Sequence, residues 1–125
     1  MTIIDELLSE VRSRLDQITH HINQLPPVET LTDEKWAKMI EFLQKASNQL
    51  RDILDSVPSS PIFITKDPDF IKYLRHDMRN PLSRLTSTTI IIDELHGTQL
   101  NQKQRQSIHA IERMAADLYQ LLENV

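Results

Sequence analysis

The sequence predicts an all-α protein built from two helical hairpins. Apolar residues recur at spacings of three and four along most of the chain, and proline-bearing breaks separate the periodic stretches. Aromatic residues make up only 5% of the composition, so the core must be aliphatic, as helical bundles often are.

The first periodic stretch covers residues 3 to 25, with Ile4, Leu8, Val11, Leu15, Ile18, Ile22 and Leu25 on one stripe. This narrow stripe is the mark of helix-on-helix packing. Pro26-Pro27 ends the helix, because proline cannot donate the next hydrogen bond and restricts the residue before it. Thr32 can cap the second helix, and Asp33 and Glu34 suit the positive end of its dipole. Trp36, Ile40, Leu43, Ser47, Leu50, Leu54 and Val57 then continue the same period, with Met39, Ala46 and Ile53 widening the face. Residues 1–57 therefore read as one helical hairpin.

Residues 58–66 are a linker: Pro58, Ser59, Ser60 and Pro61 lead into Ile62-Phe63-Ile64-Thr65. That apolar tail is expected to pack on a helix, since no second strand is evident to pair with it.

Asp67-Pro68-Asp69 reads as a helix start, with a cap, proline at the first helical position and an acid in the first turn. The third helix runs to about His96 on Phe70, Ile71, Leu74, Met78, Leu82, Leu85, Thr89, Ile92 and Leu95. Thr86 to Ile92 is rich in β-branched residues and would read as a strand in isolation, but the period through Leu95 favours helix. Gly97 fits a helix stop. Asn101 can cap the fourth helix with Gln104 as capping-box partner, and Ile108, Ile111, Ala115, Leu118, Leu122 and Val125 form its stripe beside Met114 and Leu121. Residues 67–125 are the second hairpin.

Composition narrows the function classes. A net charge of −4 with no basic stripe argues against nucleic acid as a partner. The chain has no cysteine, which rules out disulfides and thiolate metal sites. With a single glycine, Gly97, it has no glycine-rich phosphate loop or dinucleotide fingerprint. No apolar run approaches the ~20 residues of a membrane span, and the acidic N-terminus is a poor signal peptide, so a cytoplasmic location is expected. No metal site is expected either: adjacent His20 and His21 point to different helix faces, His96 sits at a helix end and His109 on a polar face.

Chemistry concentrates in Leu74-Arg75-His76-Asp77-Met78-Arg79-Asn80-Pro81-Leu82. His76 and Asn80 lie at i and i+4 and share one helix face outside the apolar stripe. Asp77 can hydrogen-bond one imidazole nitrogen, fixing the tautomer and leaving the other nitrogen nucleophilic. Pro81 lacks an amide hydrogen and clashes with the carbonyl of Asp77, so it should kink the helix or free a carbonyl within a turn of the histidine. The plain alternative is a set of solvated polar side chains with no task.

This stretch resembles the H-box of sensor histidine kinases, through His76, Asp77, Asn80, Pro81 and Leu82, with Arg79 also usual. The resemblance runs from about Phe70 to the C-terminus and covers the dimerisation and histidine-phosphotransfer domain. It implies that His76 is the phosphoacceptor, that Asp77 also serves as base, and that Asn80 places a water or contacts the phosphoryl group. It further implies a homodimer, in which residues 67–125 pair with a second copy as a four-helix bundle. A single-chain four-helix bundle from all four helices is the alternative architecture. The resemblance brings a response-regulator receiver domain as partner, docking below the histidine. The residues expected there are Arg79, Ser83, Arg84 and Ser87, with His109 and Arg113 level with Ser87 and Ser83 across an antiparallel hairpin centred near Gly97.

No cofactor is expected in this chain. ATP and Mg would act only through a separate ATP-binding domain, in cis or in trans. The functional expectation is a phosphotransfer module, stand-alone or the front part of a longer kinase. A structural dimerisation and signal-coupling bundle, and a phosphatase toward a receiver, are the alternatives.

Overall fold

A computed structural model describes residues 3–26, 33–56, 70–96, 98 and 100–124. It contains four helices, α1 (Ile3–Ile22), α2 (Glu34–Asp55), α3 (Phe70–His96) and α4 (Gln102–Glu123), and no strand among the described residues. The all-α expectation therefore holds. The linker tail Ile62–Ile64, the Asp67-Pro68-Asp69 start, the Thr32 cap, Val57 and the Gly97 stop lie outside the described residues, as do the side chains of Ile4, Phe70, Ile71, His96 and Val125.

Each helix packs on two neighbours: α1 on α2, α2 on α3, α3 on α4, and α4 back on α1. Cross-helix pairs give the directions. Arg12 reaches Asp55 at 3.4 Å and Arg51 reaches Asp16 at 3.1 Å, so α1 and α2 are antiparallel. Arg79 with Glu123 at 3.0 Å and His109 with Asp93 at 3.2 Å set α3 against α4 in the same way. Arg14 approaches Asp117 at 3.8 Å across α1 and α4, and Arg84 donates to Gln49 at 3.2 Å across α2 and α3. The result is an up-down-up-down four-helix bundle within one chain. Of the two architectures the sequence allows, this is the single-chain one.

One apolar core runs through all four helices. Val11, Leu15 and Ile18 from α1 meet Ile40, Leu43 and Leu50 from α2, Met78, Leu82 and Leu85 from α3, and Ile108, Ile111 and Leu118 from α4. Each such side chain contributes roughly 1.5–3 kcal/mol on leaving water. The stripes predict this core with two departures. Near the start of α1 the buried residue is Leu7, with Leu8 only partly covered. At the end of α3, Leu95 is 66% exposed. Asp93, Glu94 and Leu95 all face out, so the core face stops at Ile92, and Leu100 closes that end instead.

The β-branched run of α3 is helical, and two of its hydroxyls bond back into the helix. Thr86 donates to the Leu82 carbonyl at 3.0 Å and Thr89 to that of Thr86 at 2.8 Å, so Thr89 is buried without an orphaned donor. Ser47 is buried in the α1–α2 seam and hydrogen-bonds Thr19 at 3.0 Å. At the N-terminus of α2 the cap is Asp33, whose carboxylate accepts from the amides of Lys35 and Trp36. Asp33 thus takes the place expected of Thr32, since its carboxylate satisfies two end amides and carries the charge the helix dipole favours. The Asn101–Gln104 capping box on α4 forms as expected.

Candidate functional site

α3 carries the site as one continuous helix through Pro81. Its buried face holds Leu74, Met78, Pro81, Leu82 and Leu85, which turns His76 directly outward. The His76 side chain is 83% exposed, and its Nδ1 stands 3.5 Å from an Oδ1 of Asp77. That separation is long for a hydrogen bond, so the carboxylate biases the ring and its tautomer rather than clamping it. A proton held on Nδ1 leaves Nε2 with its lone pair free. Asn80 is exposed one turn on. Pro81 has no N–H, so the Asp77 carbonyl has no helical donor from that position.

The two flanks of α3 differ. Toward α4, Arg79 bonds Glu123 at 3.0 Å and Arg75 approaches the same carboxylate at 3.8 Å. The bond to Glu123 is the main reason the Arg79 guanidinium is held above its ordinary value, with Tyr119 adding to it. Toward α2, Asp77, Asn80, Pro81 and Arg84 line an open groove of about 430 Å³ together with Gln49, Asp52 and Ile53. These three α2 residues were not legible as site residues. Their position beside the α2 stripe is visible, but the linker between the hairpins hides which helix they face.

The structure gathers His76, Asp77, Asn80 and Pro81 within two turns of α3 and leaves Ser83, Arg84 and Ser87 exposed below them. The two α4 residues sit elsewhere than expected. Asp93 stands opposite His109 and Arg79 opposite Glu123, so the hairpin register differs from the expected one by about six residues of α4, ~9 Å at 1.5 Å per residue. His109 is tied to Asp93, some 25 Å (roughly) along α3 from His76 at that rise, and Arg113 is exposed on α4 level with about Thr89. Neither lies level with Ser83 or Ser87. α4 begins only after its Asn101 cap, which shifts the centre of the hairpin toward that residue.

Elsewhere, His20 and His21 stand edge to face with ring centroids 5.6 Å apart. Partial burial, and then the neighbouring His20, lower the His21 imidazole below its ordinary value. Among the described residues no group of three or more His, Cys, Asp or Glu could hold a metal ion, and no helix is long and apolar enough to cross a membrane.

No curated protein and no solved structure matches the chain. One family does match, over the part of the chain that holds α3 and α4. It is the His Kinase A (phospho-acceptor) domain, aligned to residues 69–125. The exposed histidine on a long helix, its adjacent acid and the antiparallel second helix all fall inside that match. Residues 69–125, a little under half of the chain, match the His Kinase A phospho-acceptor domain, the dimerisation and phosphoacceptor domain of sensor histidine kinases.

Proposed function

We propose that the chain is a two-component phosphotransfer module in which His76 carries a phosphoryl group and exchanges it with an aspartate of a response-regulator receiver domain. The observation that carries this reading is the outward-facing His76 with Asp77 beside Nδ1, inside a phospho-acceptor domain. Nε2 attacks the phosphorus of the receiver's aspartyl phosphate, an N–P bond forms, the P–O bond breaks, and the aspartate leaves as a carboxylate. Asp77 takes up the positive character that develops on the ring and accepts the Nδ1 proton as the phosphoramidate forms. The reverse transfer returns the proton and the phosphoryl group. Charge on the incoming phosphoryl oxygens is met by the Asn80 carboxamide one turn from His76, while Arg84, a turn beyond Asn80 on the groove side, faces the docked receiver. When ATP is the donor, it is bound by a separate ATP-binding domain in cis or in trans, which also holds Mg. The setting is cytoplasmic.

A second direction of flow rests on Asn80, whose amide is exposed one turn from His76 and can orient a water toward a receiver's aspartyl phosphate. The test is incubation of the chain with phosphorylated receiver domains, following label onto protein, beside His76→Gln and Asn80→Ala. Acid-labile label that disappears in His76→Gln supports phosphotransfer. Receiver dephosphorylation with no labelled intermediate, lost in Asn80→Ala, moves the assignment to phosphatase. A panel with neither response favours a bundle that only couples structure.

A further inference from the structure

An isolated helical hairpin can shield only the seam between its two helices, and each helix keeps an apolar flank that something else must cover. In His Kinase A domains a second copy is the expected cover. Here Ile18 on α1, Leu43 on α2, Leu85 on α3 and Ile111 on α4 are all 0% exposed, members of one core formed within a single chain. The apolar face of α3 and α4 that a second copy would occupy is filled by α1 and α2. Both seams between the hairpins are also latched at the surface, Arg14 to Asp117 at 3.8 Å and Arg84 to Gln49 at 3.2 Å.

Little apolar surface is left for a second chain. The exposed large hydrophobic residues among those described are Phe42, Tyr73, Ile90, Ile91 and Leu95, all on α2 and α3. Tyr73 stands alone, about five turns from Ile91, while Ile90, Ile91 and Leu95 sit near the end of α3 with Phe42 level with them across the α2–α3 seam, a patch of four side chains. A specific, stable interface needs about 1,600 Å² with a contiguous desolvated centre. The described parts of α1 and α4 add only the partly covered Leu8, Met114, Tyr119 and Leu121.

We infer that the first hairpin takes the place of the second copy: one chain closes a complete phospho-acceptor bundle with a single His76 and works as a monomer. This follows from the core and needs no particular direction of phosphoryl flow. In any bundle of two hairpins, the histidine-bearing helix has one neighbour from its own hairpin and one from the other. The foreign neighbour here is α2, which sets Gln49, Asp52 and Ile53 against Asp77, Asn80 and Arg84. One wall of the groove beside His76 is therefore drawn from a segment outside the matched family domain, and a receiver docking on that side would read residues that a second copy could not present.

The experiment uses the full chain, whose lack of cysteine makes placed thiols unique. Gln49→Cys and Arg84→Cys, both at exposed positions, are made singly and together and treated with a short bismaleimide. The two single variants are also mixed in denaturant, refolded together and then treated, and the untreated wild type is weighed by analytical ultracentrifugation. The expected result is the mass of one chain, a crosslink within the double variant, and no crosslinked pair from the mixture. A mass of two chains, or a crosslinked pair of double mass from the mixture, overturns the inference. Neither readout involves a receiver, so a failure of the phosphotransfer reading would leave this result standing.

Discussion

Residues 3–56 and 70–124 each fold as an antiparallel pair of long helices, contribute nearly equal shares of one core, and carry one well-formed N-cap, Asp33 in the first pair and Asn101 in the second. Their surfaces and helix interiors are unlike. Among the described residues, only the second pair has an outward histidine paired with an acid and a proline inside a helix. Packing depends on where apolar side chains recur, and many sequences satisfy it. The site depends on which polar residues occupy a few outward positions, which packing does not constrain. A hairpin without the site's residues can therefore serve as the structural equal of one that has them.

The largest contrast is chemical. His76→Gln should abolish protein-bound label in the receiver assay while shifting stability by no more than about 0.5 kcal/mol, because the side chain stands almost wholly in water. Urea unfolding alongside the label assay checks both halves of that statement.

Core truncations test whether the two halves are structurally equal. Leu43→Ala in the first half and Ile111→Ala in the second, both fully buried, should each cost about 2–5 kcal/mol in a single cooperative urea transition. A Leu43→Ala cost below about 1 kcal/mol, or two separate transitions, would show that the first hairpin is an appendage.

Pro81 marks the next difference, as it interrupts the hydrogen-bond ladder beside the site and nothing comparable interrupts α1 or α2. Pro81→Ala should raise stability by about 1–3 kcal/mol and slow phosphotransfer, because the Asp77 carbonyl regains a helical donor. Asp33→Ala and Asn101→Ala should each lose about 1 kcal/mol, the same in either half.

The smallest effect belongs to the first hairpin alone. The His21 imidazole titrates below its ordinary 6.5 in the folded chain, because of partial burial and then the adjacent His20. The unfolded chain therefore binds that proton more readily. The penalty is absent above 6.5 and grows as the pH falls below it, so stability declines toward acid. His21→Gln should flatten that decline slightly, measured as urea midpoints on either side of 6.5.

The placement of the candidate residues on α3 was legible because it is local. His76, Asp77, Asn80 and Pro81 are held by one helix, and helical spacing alone puts the first three on a shared outer face, with Pro81 turned inward beside them. The helices were legible for a similar reason, since a period of 3.6 and a capping box are properties of neighbours in sequence. The β-branched run from Thr86 to Ile92 also yielded to its period, helped by threonine hydroxyls that bond back into their own helix.

Relations between helices were the part the sequence left open. Periodicity says that a stripe must be covered but not by what, so the cover over α3 and α4 could have been a second chain and is the first hairpin. The turn after α3 fixed a register that placed His109 opposite Asp93, because α4 starts only after Asn101. The linker between the hairpins carries no periodic signal, so the meeting of Gln49, Asp52 and Ile53 with Asp77 and Asn80 depends on how two helix faces interdigitate. Local chemistry and local conformation follow from residues within a turn or two of each other. Partners across the bundle follow from burying four apolar stripes at once, a condition that exists only when the chain has closed on itself.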